Sequence, residues 1–220
     1  MKNFFRIFAC LLCLIMEKSI QPIFDKNTVE FVTVAAELCG FLERTSLQKR
    51  SDFVDKLLKV LPLLYLKASL LPACERLEDD DLETFVTEAD YNQLRSEIAA
   101  LLGDGDDYLE VFLEDMAYSD TPIRQEISES LADIYQVLKD FICVYQLGLP
   151  QTMNDALVAC RERFAEYWGQ RLVNVMRPLH ELKYNRHASW EEADESGDIF
   201  EDTCTGEELY EGLDMGEDEP

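Results

Sequence analysis

Tyr167-Trp168-Gly169-Gln170-Arg171 groups the side-chain types that dominate protein-binding hot spots. The run falls in a stretch with helical spacing, where glycine costs about 1 kcal/mol relative to alanine. A glycine there points to a close helix approach or to a cavity lined by Tyr167, Trp168 and Arg171. The plainer reading makes Trp168 a core aromatic with Gly169 as its packing partner, and that reading is the favoured one.

Carboxylates are the other chemistry-bearing groups. Between Ser96 and Ile123 stand eight acids and no base: Glu97, Asp104, Asp106, Asp107, Glu110, Glu114, Asp115 and Asp120. A calcium loop opening at Asp104 would put Asp106 in the third place. It fails at Tyr108, at Leu109 where glycine is required, and at Asp115 in the closing position. Glu110 and Glu114 lie one turn apart on an expected helix and could hold a divalent metal beside Asp115; a solvated acidic face is the plainer account. The two histidines add nothing to this. Glu-x-x-His would need Glu at 177 or 184, where Arg177 and Tyr184 stand, and His180-Glu181 is not followed by a second histidine at Tyr184. Phosphate-binding glycine loops and the nucleophile-elbow motif are absent. Cys10-Leu-Leu-Cys13 has redox spacing but lies in an apolar run with no βαβ context. Cys39, Cys74, Cys143 and Cys160 lie in or beside apolar helical runs, as small hydrophobes. No motif specifies a reaction, and no cofactor or metal ligand set is assigned.

The chain that must position these groups has 220 residues, 20 Lys plus Arg against 45 Asp plus Glu, and a net charge of −25. Such a charge repels phosphate, which excludes broad nucleic-acid binding. Hydrophobic residues at 47% suffice for a core, which excludes global disorder.

The first segment, 1–26, opens with Lys2 and Arg6 ahead of an apolar run, Ile7 to Met16. It resembles a signal peptide but lacks an Ala-x-Ala cleavage site. Ten residues rise only about 15 Å as a helix, short of the roughly 30 Å of hydrocarbon in a bilayer. A start at Met16, with an upstream extension, is the favoured reading, and the protein is then expected in the cytoplasm. The alternative is an exported or membrane-associated protein with a genuine signal at 1–16; stable membrane insertion is not expected in either case.

A single helical domain is expected over 27–184. Asn27 with Glu30 has capping-box spacing, and Phe31, Val34, Ala35, Leu38 and Leu42 share a face. Ser51 is expected to cap a second helix, kinked or broken at Pro62. Thr87 opens a third that stops at Gly103, and a short fourth runs from about Asp106 to Ala117. Thr121-Pro122 opens the fifth, with Ile127, Leu131, Ile134, Leu138, Phe141 and Tyr145 as its stripe and Gly148 as its stop. Thr152 with Asp155 opens the last helix, kinked at Pro178. No segment alternates with period two. The fold class is all-α: an antiparallel bundle or array of about six helices, followed by an acidic disordered C-terminal tail.

That tail spans 185–220. Its last thirty residues hold 14 acids and no Lys or Arg, so self-repulsion opposes folding. Leu209, Tyr210 and Leu213 interrupt the charge, and 209 and 213 share a face of any transient helix. Acids with interspersed apolar anchors can dock a basic groove.

Four blocks together are similar to a known family: Glu30-Phe-Val-Thr-Val-Ala-Ala-Glu37, Leu61-Pro-Leu-Leu-Tyr-Leu-Lys-Ala-Ser-Leu-Leu-Pro72, Val111-Phe-Leu-Glu-Asp-Met-Ala-Tyr-Ser-Asp-Thr-Pro-Ile123 and Tyr167-Trp-Gly-Gln-Arg-Leu-Val-Asn174. They resemble an uncharacterised domain-of-unknown-function family of bacteroidete-type bacteria. The resemblance covers about 27–184 and implies small all-helical cytoplasmic proteins that begin near Met16. It brings no catalytic residue, cofactor or partner. The functional expectation is therefore a non-enzymatic, protein-binding adaptor for a more basic partner. The alternatives are a helical enzyme or sensor using a divalent metal around Glu110–Asp115, and a mimic of nucleic-acid charge. The candidate interaction or cavity residues are Tyr167, Trp168, Arg171, Leu209, Tyr210 and Leu213.

Overall fold

A computed structural model of the chain describes residues 22–78, 81–110 and 123–184. Six α-helices run through these segments: α1 Lys26–Leu42, α2 Arg50–Ser69, α3 Glu88–Leu102, α4 Ile127–Gln146, α5 Pro150–Arg163 and α6 Gly169–Tyr184. A short antiparallel ribbon pairs β1, Asp107–Leu109, with β2, Arg124–Glu126, so that Asp107 faces Glu126 and Leu109 faces Arg124. The architecture is an all-α antiparallel array built round α4, which packs against α1, α3, α5 and α6.

The expected stripe explains that central place. Leu131, Ile134 and Leu138 are fully buried and Phe141 nearly so. Phe31 of α1 lies 5.6 Å from Phe141 and 6.4 Å from Trp168, ring centre to ring centre, joining three layers of the core. Twelve of the twenty residues of α4 are buried. Beside Lys139 and Cys143, a line of partly exposed polar residues runs along it: Glu129, Asp133, Gln136 and Asp140. Their spacing of four, three and four places them on a single face.

Helix starts depart from expectation at several points. Thr87 does cap α3: its hydroxyl accepts from Asp90 N at 3.2 Å, and the Asp90 carboxylate accepts from Thr87 N at 3.1 Å. Helix α1, however, begins one residue before Asn27, because the Asp25 carboxylate accepts from Asn27 N at 2.8 Å. Helix α2 begins at Arg50 rather than after Ser51, and α5 begins at Pro150 rather than at Thr152. Proline at the first position loses no bond, which sets that start.

The largest correction lies around 106–127. The expected fourth helix from Asp106 is instead a strand at Asp107–Leu109; its remainder, with Glu114 and Asp115, lies outside the described residues. Helix α4 begins at Ile127 rather than at Pro122, which also lies outside them. The reason is a cap brought from far along the chain. Asp106 accepts from Ser128 N at 2.7 Å and from Ser128 Oγ at 2.5 Å, and its carbonyl accepts from Ile127 N at 2.8 Å. Burial works to raise the Asp106 pKa and outweighs those bonds, which lower it.

Neither proline breaks its helix. Helix α2 runs unbroken through Pro62, which lies on its exposed side, and α6 runs through Pro178. The last long helix is interrupted elsewhere, by a π turn at Phe164–Trp168 between α5 and α6. Apolar positions Cys160, Phe164, Trp168 and Leu172 are four apart three times running. In an α-helix of 3.6 residues per turn that pattern drifts by about 120°, close to one residue, and a π turn absorbs one residue. Gly169 N–H closes the turn on Phe164 O. A β-carbon at Gly169 would lie 2.4 Å from that oxygen and 2.9 Å from the Phe164 ring. The glycine therefore serves its own helix rather than a neighbouring one. Gly148, at φ +72°, ends α4 as expected.

Extended connections are held by carboxylates. Asp155, almost fully buried, accepts from Leu77 N at 2.7 Å and Glu78 N at 2.9 Å. Asp140 accepts from Phe85 N at 2.7 Å and Val86 N at 2.9 Å. These bonds satisfy backbone donors where no helix or sheet can. Among the described residues no helix is long and apolar enough to cross a membrane.

Candidate functional site

Asp133 is the hub of the site. It sits on the polar line of α4, with only 12% of its side chain exposed. Its Oδ1 accepts from the Tyr91 hydroxyl of α3 at 2.9 Å. Its Oδ2 accepts from the Tyr167 hydroxyl of the π turn at 2.8 Å and forms an ion pair with Arg171 Nε of α6 at 3.0 Å. The Arg171 guanidinium also lies over the Tyr167 ring, 4.9 Å from its centre, a cation–π contact. Three helical elements thus deliver two phenols and a guanidinium to one carboxylate.

The electrostatics follow from that geometry. Burial pushes the Tyr167 phenol up to about 12, and donation to Asp133 adds to the rise. Tyr91 is raised for the same two reasons in the same order. Burial is the largest single influence on Arg171 and lowers its pKa; the charges of Asp133, Tyr167, Glu129 and Tyr108 together outweigh it, and the net shift is upward. All three donors keep their protons at neutral pH. None is tuned for acid–base work near pH 7; the arrangement fixes shape instead.

A second polar group adjoins the first. Arg95 of α3 donates to Glu126 at 2.6 Å through Nη2 and at 3.2 Å through Nε, and lies 3.9 Å from Glu129. The Tyr108 hydroxyl lies 3.3 Å from Ser130 Oγ. Asn174 of α6 donates to Glu110, and Arg124 donates to Asp107 across the ribbon, at 2.6 Å through Nε. Glu110 is thus engaged by an amide rather than grouped for a cation. Among the described residues no three His, Cys, Asp or Glu side chains are placed to hold a metal ion.

Of the residues singled out by sequence, Tyr167 and Arg171 meet at this hub, Tyr167 with 41% of its surface exposed. Trp168 faces the other way. It is fully buried, 4.7 Å from the Phe164 ring, and donates its indole N–H to Cys160 O at 3.1 Å. It is a core residue that sets the turn's orientation. Leu209, Tyr210 and Leu213 lie outside the described residues. Sequence reasoning missed Asp133 and Tyr91. Asp133 stands on a polar line along a largely apolar helix, the signal that could have found it. Cys39 and Cys160 are buried, and burial pushes the Cys160 thiol up to about 12; such thiols are inert packing.

The comparisons with known proteins agree with the fold. A family model described as a domain of unknown function, DUF5063, matches residues 22–185. The crystal structure of protein BF1032 from Bacteroides fragilis, a structural-genomics target, is 57% identical with a TM-score of 0.69, covering 76% of this chain and 99% of that one. No curated protein matches.

Proposed function

The chain belongs to the DUF5063 family, and from that premise we propose that it is a protein-binding module whose recognition face centres on Tyr167 and Arg171. The observation that carries this reading is the three-way engagement of Asp133. It holds an exposed tyrosine and a stacked arginine in fixed rotamers, so little side-chain entropy remains to be lost on binding. Tyrosine and arginine are the types most often found at the centres of interfaces.

The partner is a more basic protein. The charge of −25 favours encounter with a positive surface and raises the association rate more than the affinity. The acidic residues from 191 onward, with Leu209, Tyr210 and Leu213, form a second contact for the same partner. They bring further negative charge and an apolar anchor that survives screening by salt.

Affinity capture from the native host tests this, with the full chain as bait beside Tyr167→Ala, Arg171→Ala and a truncation after Asn185. The expected result is one main partner that is weakened about tenfold or more by either point variant. The truncation is expected to leave thermal stability unchanged and to weaken capture further. Full retention of the partner by both point variants would remove the face from consideration.

A further inference from the structure

We propose that one end of the helical array, the corner between α4 and α5 together with Phe24, docks on an anionic lipid surface beside the apolar N-terminal run. Charged residues make up 30% of the chain, yet residues 141–154 contain none, the longest such stretch in the sequence. The first part of that stretch is core. The second turns the corner in solvent. Leu147, the C-cap of α4, and Leu149, the residue before α5, are 51% and 56% exposed on either side of Gly148. Phe24 adds a third apolar side chain, 60% exposed. It belongs to the same end of the array: the carbonyl of Ile23 accepts from the Tyr145 hydroxyl at 2.6 Å, and the single turn Pro22–Phe24 packs against α5.

The partner follows from what is joined to this end. The second longest uncharged stretch of the chain is Ile7–Met16. It lies outside the described residues, but only residues 17–21 separate it from Pro22, next to Phe24. Residues 1–21 carry Lys2, Arg6 and Lys18 against Glu17, a positive segment on a chain at −25. An apolar run with flanking bases matches the acyl boundary and the anionic headgroups of a bilayer. Ten residues fall short of the hydrocarbon thickness, so the run holds the protein at the surface without crossing it. The three apolar side chains of the corner then enter the boundary beside it. Charge around the corner is balanced. Glu30 pairs with Lys26 at 3.8 Å and with Lys67 at 2.6 Å, Asp25 stands beside Lys26, and Arg76 stands between Glu75 and Glu78. Those are three bases against four acids. At physiological salt, exposed charges more than about 8 Å from the headgroups are largely screened, so the remaining acids do not forbid the contact.

Co-flotation of the full chain with mixed vesicles of phosphatidylethanolamine and phosphatidylglycerol, at physiological salt, tests this. The full chain should float with the vesicles. Deletion of residues 1–15 should lower its partition about a hundredfold, and Leu149→Asp about tenfold. Aspartate is a good N-cap for α5, so Leu149→Asp should keep the wild-type melting temperature. Phe24→Ser, at a position just as exposed, is a second variant expected to weaken binding in the same direction. Leu149→Trp should shift its emission to the blue on vesicles. Leu47→Trp, 83% exposed but at the far end of α1, should not. A full chain that stays unbound overturns the proposal. So does unchanged binding of both Leu149→Asp and Phe24→Ser, which would leave the run as an anchor with no docking face. Recovery of the native protein with Met16 as its first residue overturns it too, as does lipid-free association of copies that Leu149→Asp abolishes. The corner shares no residue with the Tyr167–Asp133 site, so failure of either proposal is separable from the other.

Discussion

Asp155 and Asp133 are both shielded carboxylates with three hydrogen-bond donors around each, yet they hold different things. Asp155 of α5 takes the backbone N–H groups of Leu77 and Glu78, with the Asn154 amide at 3.0 Å beside them. Asp133 of α4 takes side chains: the hydroxyls of Tyr91 and Tyr167 and the guanidinium of Arg171. Asp140, two polar-line positions further along α4, belongs with Asp155, since it takes the backbone of Phe85 and Val86. A carboxylate that holds backbone determines where the chain goes. One that holds side chains determines what the surface presents. The same residue type on neighbouring helices thus separates the part of the fold that sets the course of the chain from the part that shapes its surface.

Three substitutions measure that separation. Asp155→Ala is expected to have the largest effect. It removes a carboxylate that is itself buried, with two charge-assisted bonds to partly buried backbone donors, and should cost about 3 kcal/mol in urea unfolding. Asp140→Ala removes the same kind of bond nearer the surface, so about 1 kcal/mol is expected in the same assay. Asp133→Asn should cost least, under about 1 kcal/mol, because side-chain donors freed near solvent can turn to water. Its signature is spectroscopic. In an ultraviolet titration of tyrosinate, the Tyr167 phenol should move down from about 12. It should not reach its ordinary value of 10.0, because burial, the larger cause of the rise, remains. The sign for stability follows from a folded-state pKa above the unfolded one. The contribution of Tyr167 is complete below pH 10 and is lost as pH rises through about 12. Asp133→Asn should flatten that alkaline loss. If Asp133→Asn unfolds the protein as readily as Asp155→Ala, the distinction between the two carboxylates fails.

Much of the fold was legible because it rests on spacing. The stripe of α4 marks buried positions, Thr87 marks the start of α3, and Gly148 marks the end of α4. The failures share a cause. Asp106 caps a helix 22 positions away, and no local pattern announces a cap that arrives from elsewhere in the chain. The strand at Asp107–Leu109 is too short for alternation to register. The π turn is partly readable: three successive steps of four from Cys160 to Leu172 overrun the α-helical repeat, although any two of them match an ordinary apolar stripe. For the site, residue type pointed to Tyr167 and Arg171 and spacing gave Trp168 to the core. The residue joining the first two was invisible as a partner, because Asp133 and Tyr167 are 34 positions apart and meet only when α4 and α6 pack.

The cap supplied by Asp106 also governs the order of events in folding. A helix with a local cap can begin to form as soon as its own first turn is made. Helix α4 lacks that option at its first turn, since Glu126 makes no side-chain capping bond and Ser128 waits on Asp106. Its N-terminal turn closes only when the ribbon closes, and a loop of about twenty residues must first lose its freedom. The central helix therefore nucleates away from that end, nearer Leu138 and Phe141, and zips toward Ile127 last. In hydrogen-exchange terms, the amides of Ser128 to Ser130 should open and close with the ribbon, faster than those of the same helix two turns on.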